Sequence, residues 1–512
     1  MTTFDDVWQA NKPAGLKPTI NIRQQPSIVA YEARNALKEH NDTHPTVFVR
    51  AGQIVRVVRD LDDAENVSVY TKPYDAPSFK GEMGRVADWV TKGEKGESPC
   101  AVPQDMIGDL LGNVQLMDGI IPELHQIVRS PVFTAGGGLH LKAGYFKGSK
   151  CWYEPHGGLD LDDVPDDPTQ DDLSLARKII LDELLGDFPF ETDADKANAV
   201  ALLLQPFARR LIAGPTPLHL VDAPAAGTGK SLLVDAIMRI SNGAPVTSMV
   251  ECVKDEEWKK VLTAKFMSGQ PIIFIDNISR TVDSPSLASA LTQPMWEDRV
   301  LGGSSMFVGR IQHTWVATGN NVSMSGEIAR RTIRTRLNAH SATPYEGRTF
   351  KHEDLLSWVG ENRAQLVWAA LVLVRNWLAL GRPAWSGKSF ASYESWGIVM
   401  GGILESAQIS GFLENRAEMF DASNESSEEM RAFTEAWFEA HGDSEMLARD
   451  LVDLAGVHLG LVKPGLGGLV KPSSKAVASA LSRAKGCVFG DLEVVKIFKK
   501  GKADKYRLKK VS

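Results

Sequence analysis

Cysteine is scarce in this chain: Cys100, Cys151, Cys252 and Cys487 are the four in 512 residues, far apart and with no C-x-x-C pair. Such spacing excludes a disulfide framework and a zinc module, and it fits a reducing, cytoplasmic setting. Long apolar runs are lacking too. The apolar stretch Leu366 to Leu380 is interrupted by Arg375 and Asn376, and Met1 to Ala10 is polar and acidic without an apolar signal core, so no membrane span is expected. Positive charge is not in surplus: 57 Lys and Arg face 64 Asp and Glu, a formal net charge of −7, so any surface for nucleic acid must be local. A polymerase-type metal site is missing as well. The alternating acids Leu159-Asp-Leu-Asp-Asp163 run straight into Pro165-Asp-Asp-Pro168 with no apolar strand before them, and read as a solvated loop.

What is present spreads over roughly three or four domains, because a chain of this length outgrows one core. Residues 1–40 are a Pro-rich polar lead that turns helical from Ser27. Residues 41–170 read as a small mixed α/β or β-rich domain, with short β-type runs at Val47-Phe-Val49, Gln53 to Val58 and Val67 to Tyr70, and strands between Val132 and Tyr153. From residue 171 the period becomes helical: Asp171-Asp172 caps an apolar helix over Leu173 to Leu185, and Asp195 to Leu211 repeats the pattern. Residues 346–441 are mostly helical, their tryptophans spaced as core.

The densest chemistry sits at Ala223-Pro-Ala-Ala-Gly-Thr-Gly-Lys-Ser231, between the apolar run Leu218 to Val221 and the amphipathic run Leu232 to Ile240. Strand, glycine turn, helix is the context of a phosphate-binding loop. Gly227 and Gly229 let the backbone curl so that the N–H groups from Ala226 through Thr228 to Leu232 face phosphate oxygens; Lys230 reaches the β- and γ-phosphates, and the Ser231 hydroxyl can ligate Mg²⁺. Pro224 occupies the place where a glycine usually opens such a loop, which stiffens the entry and removes an N–H.

Downstream, Pro271-Ile-Ile-Phe-Ile-Asp276 reads as a buried parallel strand that delivers a carboxylate at its C-terminal end, where open α/β sheets bind ligands. Thr314-Trp-Val-Ala-Thr318 is a second buried strand, followed by Gly319-Asn-Asn321, and then comes the cluster Arg330-Arg-Thr-Ile-Arg-Thr-Arg336. Together these suit ATP hydrolysis: Mg²⁺ held by Ser231 and Asp276, a water oriented by Asn320, and Arg330 or Arg331 as an arginine finger supplied by a neighbouring subunit. Asn277 stands where many ATPases have a glutamate to polarise water. Glu251, Glu256 or Glu257 is then the base, or the water is activated without one, or hydrolysis is slow.

The last segment, 442–512, is distinct. Asp443 to Val457 and Ser473 to Lys485 read as helices, and Cys487 to Phe498 and Lys505 to Leu508 as strands, the outline of a winged helix. Between Lys471 and Lys510 twelve Lys or Arg face Asp491, Glu493 and Asp504, the electrostatic footprint of a phosphate-backbone contact. Lys475, Arg483, Lys499, Lys500 and Lys502 are its candidate DNA contacts.

Gly227-Thr-Gly-Lys-Ser231, Ile273-Phe-Ile-Asp-Asn277, Trp315-Val-Ala-Thr-Gly-Asn-Asn321 and Ala329-Arg-Arg-Thr-Ile-Arg-Thr-Arg-Leu337 resemble the ATPase core of superfamily III helicases, and most of all the helicase half of phage and mobile-element primase–helicases. The resemblance covers residues 171–345. It implies an AAA+ type α/β core, a hexameric ring that encircles single-stranded DNA and translocates with ATP, and a separate primase or replication partner. It also implies that a hairpin before the asparagine-bearing strand enters the channel; here that is Ser305 to Thr314, which makes Arg310 and His313 candidate DNA contacts. Two alternatives stay open: a DNA-binding AAA+ regulatory or remodelling ATPase that does not unwind, and a nucleotide-binding scaffold with negligible hydrolysis.

Overall fold

The computed structural model describes residues 17–63, 66–94, 96–157, 159–299, 306–341, 349–388, 390–459, 463–465, 468–470, 472–486, 488–497 and 504–511. They form two compact units. The first runs to Val322 and includes Arg331–Glu414; the second joins Ser323–Arg330 to the chain from Asn415 onward.

The first unit opens with helices Pro26–Thr43, Ala76–Val86 and Gln104–Gly112 around a small sheet in which Thr19–Asn21 runs parallel to Asp88–Gly93. Leu37, Phe79 and Ile107 fill its core. Antiparallel strands Phe48–Arg50, Gln53–Asp63 and Asn66–Pro73 lie over the three short β-type runs read in the sequence and extend the second and third of them. The helical lead-in starts on a Thr169 capping box and is α-helical over Gln170–Arg177, but Lys178–Leu184 winds as a π-helix where one continuous α-helix was expected. It ends at Gly186, where a Cβ would meet the Asp182 carbonyl at 2.3 Å. Helix α1, Asp193–Ala208, begins on a second capping box, Thr192 with Asp195.

The central α/β core follows: β1 Leu218–Ala223, α2 Lys230–Asn242, β2 Ser248–Met249, α3 Asp255–Ser268, β3 Ile272–Ile278, α4 Pro285–Thr292, the hairpin β4 Met295–Arg299 with β5 Met306–Arg310, then β6 Thr314–Asn320 and β7 Thr332–Arg336. Its five-stranded sheet has the order β2-β3-β6-β1-β7, with every pairing parallel. β1 is buried along its whole length, as a parallel strand covered on both faces must be, and it buries His219 and Asp222 among its apolar residues. Leu233, Val234 and Ile237 of α2 join the main core, and helices α5 Arg363–Ala379 and α6 Glu394–Ser406 contribute Leu371, Trp377 and Trp396. This is a mixed α/β fold with a parallel sheet, compatible with a phosphate-loop core.

In the second unit, α7 Arg416–His441 is followed by β8 Met446–Leu447, α8 Val452–His458, α9 Ser474–Arg483, β9 Val488–Phe489, β10 Leu492–Ile497 and β11 Lys505–Lys510. The antiparallel order is β8-β11-β10-β9. Two expectations change here. Met446-Leu447, expected inside a helix, pairs with Tyr506-Lys505 as a strand. The stretch expected as one strand from Cys487 is folded back at Gly490, whose φ of +64° makes the turn between β9 and β10.

Candidate functional site

The loop leaves the C-terminal end of β1 and closes on α2. Gly227 at φ +79° and Gly229 at φ +94° take the left-handed conformation that curls the loop, and Thr228 Oγ1 donates to the Ala225 carbonyl at 3.2 Å. Lys230 is the first residue of α2. Its ammonium donates to Asn320 Oδ1 at 2.6 Å and, more weakly, to the Ala225 carbonyl at 3.4 Å. Burial pushes its pKa down, and the carboxylates of Asp222 and Asp276 oppose that. The sequence therefore brings Lys230 and Asn320, ninety positions apart, into direct contact at adjacent strand ends.

Ser231 and Asp276 also meet. The hydroxyl donates to Asp276 Oδ1 at 3.4 Å. A hydroxyl and a carboxylate at the edge of the glycine loop are the hard oxygen donors that Mg²⁺ prefers, so the chemistry of these two residues fits that ion. Thr318 orients the carboxylate: its Oγ1 donates to Asp276 Oδ1 at 2.5 Å and accepts the Asn277 N–H at 2.9 Å. The β3–β6 register slips between Ile275 and Ile278, and Asn277 sits in that irregularity at φ +56° with its side chain exposed.

The candidate bases differ in availability. Glu251 accepts from the Ser279 hydroxyl at 2.8 Å and from the Ser279 and Arg280 N–H groups at 3.2 Å each, so its carboxylate clasps the loop after β3. Glu256 and Glu257 are exposed on the first turn of α3, with Glu257 paired to Lys260 at 2.8 Å.

Arg330 is exposed and belongs to the second unit, whereas Arg331 is half-buried, within electrostatic reach of Tyr393, and its carbonyl accepts the Leu218 N–H at 2.9 Å. Arg310 closes β5 opposite Met295, about half exposed, with Nε 3.8 Å from Glu123. His313 requires a correction. It is buried against Phe266 and Trp315, and burial, helped by Arg50, Arg209 and Arg210, pulls its pKa down to about 3. A neutral imbedded imidazole does not reach DNA; the aromatic neighbours that bury it come from α3 and β6, outside the local hairpin pattern.

Of the C-terminal candidates, Lys475 is exposed on the first turn of α9, Arg483 ends that helix, and Lys499, Lys500 and Lys502 lie outside the described residues. Lys496, Lys505 and Lys510 pair with Asp504, Glu445 and Asp491. Among the described residues no cluster of three His, Cys, Asp or Glu is placed to hold a metal, and no helix is long and apolar enough to cross a membrane.

Sequence reasoning missed Thr318, Asp222, Arg336 and Glu191. Arg336 donates to Asp222 at 2.5 Å and to Asn321 at 3.0 Å, and pairs with Glu191 at 2.9 Å. An acid in the otherwise apolar β1 was the one visible signal.

No known family model and no curated protein matches the chain. Solved structures with a similar outline include the apo A form of the NrS-1 C-terminal region (10% identity, 90% of this chain and 96% of that one, TM-score 0.37). The active helicase Cch of SCCmec type IV is 13% identical over 91% of this chain and 93% of its own, TM-score 0.32, and JCV helicase is 12% identical over 50% and 73%, TM-score 0.21. Overlaps this loose leave function to the geometry of the site.

Proposed function

We propose that the chain is an ATPase of AAA+ type that works as a homo-oligomeric ring, a DNA helicase or translocase serving replication of a phage or mobile element. The observation that carries the reading is the convergence of Lys230 with Asn320 and of Ser231 with Asp276 at the C-terminal edge of β1, β3 and β6. Loop N–H groups bind the phosphates, and Lys230 turns from Asn320 toward the β- and γ-oxygens. The released Asn320 amide then orients the attacking water. Mg²⁺, when bound by Ser231 and Asp276, neutralises charge that develops on the phosphates. Arg330, exposed, serves as the finger for a neighbouring subunit's nucleotide, while Arg310 and the basic C-terminal unit, a winged helix in outline, contact single-stranded DNA.

ATP turnover stimulated by single-stranded DNA, lost in Lys230→Ala, together with displacement of a forked duplex, is the expected result. Turnover without displacement defeats the helicase reading. A second reading has its own support: Asn277 follows Asp276, and Glu251 is engaged by three donors. Hydrolysis without a free glutamate base is slow, which suits a nucleotide-switched DNA-binding ATPase that regulates assembly. It predicts nucleotide-dependent DNA binding with little phosphate release.

A further inference from the structure

Between β6 and β7 the chain makes an excursion. It leaves the sheet after Asn320, Asn321 and Val322, passes through Ser323–Arg330, which belong to the second compact unit, and returns at Arg331. The outgoing end and the far end of β7 meet on one carboxylate. The Val322 N–H donates to Asp222 Oδ1 at 3.2 Å; the chain returns at the other end of β1, where the Arg331 carbonyl accepts the Leu218 N–H, and at the end of β7 the Arg336 guanidinium donates to Asp222 Oδ2 at 2.5 Å. Asp222 is the penultimate residue of β1, just ahead of the phosphate loop.

Arg336 reaches further than that carboxylate. Another edge of its guanidinium donates to Asn321 Oδ1 at 3.0 Å, and Nε lies 2.9 Å from Glu191. Its backbone is tied as well: the N–H donates to Asp195 Oδ1 at 2.7 Å, and the carbonyl accepts the Glu191 N–H at 3.0 Å. A planar fork that meets three segments fixes their mutual geometry, which a point charge on a flexible stem does not. Asn321 needs such fixing. It stands in the left-handed region at φ +44°, directly after Asn320, whose side chain holds Lys230.

We infer that Arg336 is a positioning residue for ATP hydrolysis: by clamping Asp222, Asn321 and Glu191 together it sets the backbone from which Asn320 meets Lys230. Its guanidinium bonds to Asp222, Asn321 and Glu191, so its effect reaches Lys230 through Asn320 and through the charge of Asp222, and Asn321→Gly isolates the first route. The inference rests on the reading of the Lys230 loop as a site of ATP hydrolysis.

Two variants of the full chain test it. Asn321→Gly removes the amide that Arg336 holds while tolerating positive φ, and Arg336→Lys keeps the charge but loses the fork. Affinity for a fluorescent ATP analogue with Mg²⁺, steady-state turnover and a melting curve are measured for each. Turnover is expected to fall on the order of tenfold to a hundredfold in both, with affinity changed by less than about threefold and the Asn321→Gly melting curve little moved. In an Asn320→Ala background, Asn321→Gly is expected to cost no further turnover, because the group it positions is gone. Losses that multiply in the double variant, or full turnover in both single variants, overturn the inference. A wild-type chain that binds no nucleotide removes the proposed function and this inference with it, so the wild-type control tells the two failures apart.

Discussion

One threonine hydroxyl bears on the chemistry at the strand edge as directly as the charged residues do. Thr318 donates a hydrogen bond to Asp276 and accepts one from the N–H of Asn277, which holds the carboxylate that faces Ser231. A hydrogen bond to a charged group contributes about 1.5–3 kcal/mol, so Thr318→Val is expected to raise the Mg²⁺ needed for half-maximal turnover on the order of tenfold. A magnesium titration of ATP turnover checks it; an unchanged curve means that Asp276 does not hold the ion. The buried histidines set a different residue-scale effect. Burial holds His219 and His313 down at about 3, and burial with Arg210 holds His125 at about 4, against the ordinary 6.5. Unfolding lets each take up a proton between those values, so the neutral rings contribute stability that is fully present above pH 6.5 and is lost as pH falls toward 3 or 4. His313→Phe keeps an aromatic ring beside Phe266 and Trp315 and removes one such proton. Its unfolding free energy, followed by urea melts from pH 6.5 to 4.5, is expected to fall less steeply than wild type, by up to ~1.4 kcal/mol per pH unit. DNA affinity is expected to be unchanged in the same variant, since the ring is buried.

At the scale of elements, β6 meets the end of β3 at Gly319, with no room for a side chain. A Cβ there would stand 2.2 Å from Val322 Cγ2 and 2.7 Å from the Ile278 carbonyl, and a backbone oxygen cannot move aside as a side-chain tip can. Gly319→Ala is expected to cost about 1–3 kcal/mol in stability and to lower turnover, read from denaturant melts beside an ATPase assay; a variant with wild-type melting would mean the strands part easily. The elements meeting here were legible because fully buried parallel strands write themselves as unbroken apolar runs, as Ile272–Ile275 and Trp315–Ala317 do. Lys230, Ser231, Asp276 and Asn320 were legible for the same reason: each sits at a fixed step from the end of such a run. The register slip at Asn277 and the strand at Met446 were not, because Thr318 and β11 respectively impose them, and the π-helix at Lys178–Leu184 has no signal in the apolar spacing. Arg336 shows the limit most clearly. Its partner Asp222 lies 114 positions away, and nothing in a basic cluster says which arginine turns inward.

At the scale of the whole molecule, charge and assembly decide what the site is for. The chain is acidic overall, and several C-terminal lysines pair with local acids, which leaves Lys475, Lys485, Arg507 and Lys509 as exposed candidates for phosphate contact among the described residues of the C-terminal segment. Lys475→Gln is expected to weaken binding to single-stranded DNA of any sequence and to reduce the slope of log affinity against log salt by about 1; an unchanged slope removes Lys475 from the interface. Exposure likewise separates the two finger candidates. A finger acting across subunits needs a side chain free to leave its own chain, which Arg330 has, whereas Arg331 is half-buried with its backbone bonded to β1. Subunits with Arg330→Ala and subunits with Lys230→Ala are each expected to be inactive alone. In an equal random mixture, about a quarter of ring interfaces pair an intact Lys230 with an intact Arg330, and hydrolysis is expected to return in proportion. The same mixture made with Arg331→Ala should recover less, because that change also disturbs its own subunit. No recovery with Arg330→Ala at any ratio would mean that the finger acts in cis or that the nucleotide sites do not lie between subunits.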